Sequence, residues 1–160
     1  GTGARLWVND RIDVALAVRA DGVQLGHRSL DAATARRLLG AAPWVGRSVH
    51  APEEVRAAEE EGADLVLLGP VYPTASHPAA PALGPDTVAD AVGRTRLPVV
   101  AIGGLVPERV ASVRARGAAG VAVRGHVWEA AGPADVGARV EAWLRAWDAA
   151  GGNAAGGGRR

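Results

Sequence analysis

The chain has 160 residues, a formal net charge of +1 and 48% apolar residues, which fits one domain with a core of its own. So small a charge gives no drive toward nucleic acid or an anionic membrane surface, and no apolar run reaches the length of a membrane span, so a soluble cytoplasmic protein is expected. Cysteine, lysine and methionine are all missing, which excludes disulfides, thiolate chemistry and a lysine Schiff base, and the absent initiator fits a fragment or a processed chain.

The first strand is expected near 6–9, in "LWVN". Asn9 and Asp10 end it, and a helix is expected to begin near Arg11. Asp10 suits Mg²⁺, which takes one or two carboxylates together with phosphate oxygens. The competing reading is that Asn9 or Asp10 caps the helix. The second strand, near 22–25, lies in "ADGVQLG" (20–26) and is followed by His27, Arg28, Ser29 and Asp31, with Asp31 expected inside the next helix. The third, near 45–49 in "WVGRSV", leads to His50. A helix then opens at Pro52, with Glu53 and Glu54 in its first turn, where acids complement the helix dipole.

"ADLVLLG" (63–69) holds the fourth strand, near 65–69. The loop "GPVYPTASHP" (69–78) follows, rich in Pro, Thr and Ser and carrying His77. The fifth strand, near 98–102, ends in "AIGG" and the sixth, near 120–124, in "AVRG". Helices are expected to begin at Pro85, Pro107 and Pro133 and to stop at Gly40, Gly62, Gly93 and Gly117. The last helix, about 133–148, presents Val136, Val140, Trp143, Leu144 and Trp147 as one apolar face. Residues 1–148 thus form the domain, and 149–160 form a glycine-rich tail expected to be disordered.

The strand runs are apolar almost without alternation, which reads as strands buried on both faces. Strand–helix alternation with short connections means a parallel sheet with right-handed crossovers. The pattern fits either a doubly wound sheet or part of a (βα)₈ barrel. In both, ligands sit at the C-terminal ends of the strands. All four histidines, His27, His50, His77 and His126, follow strands. Any one of them is more simply a loop hydrogen-bonding group, but four on one rim mark a functional mouth. Paired glycines at 103–104 and Gly125 beside Arg124 would let backbone N–H groups reach an anion; ordinary turn geometry would place glycines there too.

The strand ends taken together, "VNDRIDVALAVRADGVQLG", "GRSVHAPEEVRAAEEEGADLVLLGPVYPTASHP" and "LPVVAIGGLVPERVASVRARGAAGVAV", resemble the thiamine phosphate synthase and thiazole tautomerase superfamily in register from about residue 6 to 145. The resemblance implies a (βα)₈ TIM-type barrel of which about six βα units are present, the chain starting at the family's third strand.

By that resemblance Asn9 and Ser48 contact a pyrimidine diphosphate, and Asp10 is the first Mg²⁺ ligand. Thr74, Ala75 and Ser76 bind a thiazole phosphate, and Gly104, Arg124 and Gly125 supply the phosphate-binding backbone. Three departures stand out. Ser29 replaces the second Mg²⁺ aspartate, so Mg²⁺ is expected to bind weakly. His77 replaces a pyrophosphate-contacting lysine. The family segment that supplies further pyrophosphate contacts has no counterpart here.

The tautomerase branch needs no metal and isomerises a thiazole carboxylate phosphate by proton transfer. "VQL" and "GRSVH" followed by "EE" resemble it more closely. Its characteristic histidine falls at Pro70, which leaves His77 or His50 as the acid–base group. The reading therefore leans slightly to a tautomerase-like enzyme. The alternatives are a thiamine phosphate synthase, which joins pyrimidine diphosphate and thiazole phosphate, and a non-catalytic phosphate-ligand binder. With two barrel units absent, the chain is expected to aggregate, to form a homodimer through open sheet edges, or to come from a longer parent.

Overall fold

The computed structural model describes residues 3–76 and 78–151. Within them, strands β1 (Trp7–Asn9), β2 (Gly22–Leu25), β3 (Trp44–Val49), β4 (Leu65–Leu68), β5 (Val99–Ile102) and β6 (Gly120–Ala122) form one sheet. All its pairings are parallel and the order is sequential, β1 to β6. A sequential parallel order with helical crossovers is that of a barrel wall, and it excludes the doubly wound alternative, whose strand order reverses. Among the described residues β1 pairs only with β2 and β6 only with β5, so the sheet is an open, incomplete barrel.

The helices are α1 (Ile12–Val18), α2 (Ala32–Leu39), α3 (Glu54–Glu60), α4 (Asp86–Val92), α5 (Val110–Arg114), α6 (Gly125–Trp128) and α7 (Pro133–Ala149). Their starts follow local chemistry. Asp31 does not lie inside α2 but caps it, its carboxylate accepting the Thr34 N–H at 2.7 Å. Pro133 opens α7, and Pro107 opens a 3₁₀ turn leading into α5. Pro52 and Pro85 fall just before their helices, which start at Glu54 and Asp86.

The core is one-sided. Val23, Leu25, Val45, Val49, Val66, Leu68, Val99 and Ala101 face the helices and are buried. They meet a layer of small residues, among them Ala15, Ala32, Ala35, Ala58 and Ala91, that lets the helices approach the sheet closely. Trp7, Gln24, Trp44, Leu67, Val100 and Ile102 face the lumen and are only half-buried. The expectation of strands buried on both faces is therefore corrected: the open barrel leaves its lumen face wet. On that face the Trp7 ring lies across β2 and β3, where a Cβ on Gly22 would stand 2.8 Å from it and one on Gly46 3.1 Å. A Cβ at 22 would press on the ring and one at 46 mainly on the Gln24 amide oxygen, which favours glycine at both positions.

The expected apolar face of α7 is corrected as well. Trp143 is buried, but Val140 and Leu144 are 40% and 59% exposed. Trp147 is held by the Arg114 guanidinium, 3.9 Å from its ring centroid. α7 runs to Ala149, one residue past the expected end, and residues 152–160 of the expected tail lie outside the described residues. Among the described residues no helix is long and apolar enough to cross a membrane.

Candidate active site

A cleft of about 1010 Å³ opens at the C-terminal ends of the strands. Asn9, Asp10, Ser48, His50, Thr74, Ala75, Ser76, Gly104, Arg124 and Gly125 all line it. His77 lies outside the described residues. The remaining rim histidines, His27 and His126, line the cleft with His50.

Asp10 anchors one end. It adopts a left-handed backbone conformation with φ of 61°, which asparagine and aspartate tolerate better than other non-glycine residues. The Asp10 Oδ1 accepts the Gly26 N–H at 3.1 Å and also the Ser29 hydroxyl. That hydroxyl donation, helped by the Gly26 N–H and the positive charge of Arg28, holds the Asp10 carboxyl below its ordinary pKa. Neither Asn9 nor Asp10 caps α1: its N-cap is Arg11, without a side-chain cap bond. The helix-cap alternative is thereby removed. The loop that carries Ser29 is braced from outside the lumen by Arg47, whose Nη1 donates to the carbonyls of Gly26 and Leu30 at 3.1 and 3.2 Å.

The middle of the cleft is set by β3 and β4. Gln24 Nε2 donates to Ser48 Oγ at 3.0 Å, which leaves the Ser48 proton for another acceptor. His50 Nδ1 lies 2.6 Å from the Gly69 carbonyl. A carbonyl only accepts, so Nδ1 carries a proton, and in the neutral ring Nε2 keeps a lone pair.

The far end is rich in donors. The loop after β4 runs beside the end of β5, with Val71 N–H donating to Ile102 O at 2.9 Å and Tyr72 N–H to Gly103 O at 3.1 Å. Among the described residues no acceptor takes the N–H of Gly103 or Gly104, and that of Gly125 is the first of α6, without an intrahelical partner. Arg124 Nη2 donates to Ser76 Oγ at 2.8 Å, tying β6 to the loop after β4. Arg109, missing from the sequence expectations, lines the same end, stacked 4.4 Å from the Tyr72 ring centroid and donating to the Gly104 carbonyl. Its position five residues beyond the glycine pair is a signal that the sequence contains: one turn into a helix, facing back over the strand end.

Gly104 has φ of 59°, and a Cβ there would collide with the Tyr72 and Pro73 carbonyls. A larger residue at 104 would therefore disrupt the whole 70–76 loop and not the strand end alone.

A one-sided parallel βα sheet with a polar cleft at its strand ends, acidic at one side and donor-rich at the other, defines a ligand site of the barrel-enzyme type. The sequence model of the thiamine monophosphate synthase family matches residues 1–127. The chain belongs to that family.

It is 52% identical over 122 residues to the thiamine biosynthesis bifunctional protein ThiM/ThiE of Symbiobacterium thermophilum, covering 76% of this chain and 25% of that protein. It is 42% identical over 138 residues to the thiamine-phosphate synthase of Salinibacter ruber, covering 86% of this chain and 61% of that protein. The chain thus spans less than two thirds of these curated relatives. Among solved structures, thiamine phosphate pyrophosphorylase from Pyrococcus furiosus superposes with a TM-score of 0.83 at 36% identity, covering 93% of this chain and 70% of that one. The family model and the Salinibacter relative carry the synthase name, and the slight preference for a tautomerase gives way to the synthase alternative. Pro70 stands where the tautomerase resemblance wanted a histidine, and a prolyl ring carries no titratable proton.

Proposed function

We propose that the chain carries the substrate cleft of a thiamine phosphate synthase, which joins a pyrimidine diphosphate to a thiazole phosphate with release of pyrophosphate. The observation that carries this reading is the pairing, in one cleft, of an ionised Asp10 at one end with the Gly103, Gly104 and Gly125 N–H groups and Arg124 at the other. The donor-rich end would take a phosphate directly, and the Asp10 carboxylate would take a diphosphate only through a cation.

In this reading Asn9 and the Ser48 hydroxyl hold the pyrimidine diphosphate. Thr74, Ala75, Ser76, Gly104, Arg124 and Gly125 hold the thiazole phosphate. His77 and His50 remain the candidate acid–base groups, and the free lone pair of His50 Nε2 suits it to accept a proton or a hydrogen bond from a substrate N–H. Arg28, whose charge acts on Asp10, is the cation at the diphosphate end that would offset the charge of a leaving pyrophosphate.

Mg²⁺ fits this donor set at its minimum. Among the described residues no three of His, Cys, Asp and Glu cluster to hold a metal. Asp10 supplies one carboxylate, and Mg²⁺ completes its octahedron from water and phosphate oxygens. When bound it would neutralise diphosphate charge, and Asp10, oriented by Gly26 and Ser29, would be its protein ligand.

The test is incubation of the 160-residue chain with both substrates and Mg²⁺, with thiamine phosphate measured directly. Product that disappears in Asp10→Asn supports the synthase reading. No product, with thiazole phosphate still bound in calorimetry, favours the non-catalytic binder, a reading to which Ser29 in place of a second carboxylate lends support.

A further inference from the structure

His126, the first residue after Gly125, belongs to none of the roles above. His126 lines the donor-rich end of the cleft. Behind it stands Trp143 of α7, the two rings meeting edge to face at a centroid distance of 5.6 Å. Trp143 Nε1 lies 3.1 Å from His126 Nδ1. An indole N–H can only donate, so Nδ1 must accept. The imidazole is then neutral, with its one proton on Nε2. The backbone is fixed too, because Arg139 Nη1 donates to the His126 carbonyl at 2.6 Å while Asp135 holds Arg139. Trp143 is only 6% exposed and anchors α7 to the domain, so this orientation is set by the core. His50 carries the opposite tautomer, its Nδ1 donating to Gly69.

We propose that His126 is a ligand-contacting, specificity-determining residue: a neutral Nε2–H donor to an anionic oxygen of a phosphate monoester, its tautomer fixed by Trp143. The proposal rests on the reading of this end as the phosphate end, and on no step of the synthase reaction. A neutral donor in the same cleft as Arg109 and Arg124 recognises a phosphate oxygen without adding charge. Imidazolium would forfeit the Trp143 bond, since both ring nitrogens would then be donors.

Two variants of the full chain separate a ligand role from a merely structural one. In His126→Asn the amide oxygen takes the place of Nδ1 and keeps an acceptor for Trp143, but the Nε2 donor is gone. In His126→Gln the amide nitrogen approximates Nε2 and the acceptor for Trp143 is lost. Calorimetric titration with inorganic phosphate should show Kd raised about tenfold in the asparagine variant, about 1.4 kcal/mol. In the glutamine variant Kd should stay within about threefold of the parent chain.

A long-range ¹⁵N–¹H spectrum of the parent chain should show His126 protonated on Nε2, and that signal should move on phosphate addition. In Trp143→Phe, Nδ1-protonated ring should appear. Protonation on Nδ1 in the parent, absence of a phosphate response, or an asparagine variant binding as well as the glutamine variant would each overturn the proposal. Failure of the synthase assay with these phosphate results intact would remove the proposed reaction and leave the role of His126 standing. Product formation with equal affinities for the two variants would do the reverse.

Discussion

Leu67 and Leu68 are neighbours on one strand, and the open barrel should make them unequal. Leu68 faces the helices and is 0% exposed, whereas Leu67 faces the lumen, is half-buried and lines the cleft. Truncating a fully enclosed leucine loses the transfer energy of the deleted carbons and leaves a cavity, together about 3 kcal/mol. Truncating Leu67 loses only part of that transfer energy, and the space joins the cleft without forming a void, so about 1 kcal/mol is expected. Equilibrium urea unfolding of Leu67→Ala and Leu68→Ala measures both, with m unchanged if neither alters the surface exposed on unfolding. For a chain of this length, about 3 kcal/mol also lowers Tm by roughly 6–12 °C, against a typical total stability of about 5–15 kcal/mol. Equal costs for the two variants would refute the reasoning, because they would mean that the lumen is dry and closed in solution.

The Asp10 carboxyl should titrate below its ordinary range by ¹³C NMR, and Ser29→Ala should move the midpoint upward, since the Ser29 hydroxyl is the main cause of the depression. A depressed carboxyl stabilises the fold above its unfolded pKa and loses that contribution as pH falls through the folded value, so the acid limb of the stability profile should be shallower in Ser29→Ala. Ser29→Asp should tighten Mg²⁺ binding, measured by calorimetry without diphosphate, while strong Mg²⁺ binding by the unaltered chain would contradict the single-carboxylate site. Sedimentation velocity should show self-association that grows with concentration, since β1 and β6 each have one neighbour among the described residues; a monomer at every concentration, melting cooperatively above roughly 65 °C, would defeat that expectation.

The strands are legible in the sequence to within two residues because each is a short apolar run closed by glycine or a polar loop, and the helix boundaries follow because proline and glycine punctuate them. Strand order is open between two architectures, since local pattern carries no information about which strands become neighbours. The faces of the strands are hidden for a related reason. The run from Leu65 to Leu68 is apolar throughout, and only the curl of the sheet decides that Val66 is buried while Leu67 meets solvent. The cleft residues are legible as strand ends. Arg109 is legible only through its spacing from the glycine pair, because its return over the strand depends on the turn at 103–106. The Trp143–His126 pair is not legible, since 17 residues separate the partners and nothing local couples them.

By the family resemblance Ser29 stands where a second carboxylate is expected, and that difference would change the electrostatic logic of the site. Two facing carboxylates repel, and a cation is needed to hold both ionised at short range. A serine there does the opposite: its hydroxyl donates to Asp10 Oδ1, the same oxygen that takes the Gly26 N–H, and the carboxylate is ionised and oriented by the protein alone. The acidic end of the cleft is thus preorganised before any ion arrives. In the proposed reaction the demand for Mg²⁺ then falls on the diphosphate, whose oxygens must supply most of the octahedron around the ion. Metal and diphosphate would therefore bind together, and Asp10 would act as the fixed point against which the pair is placed.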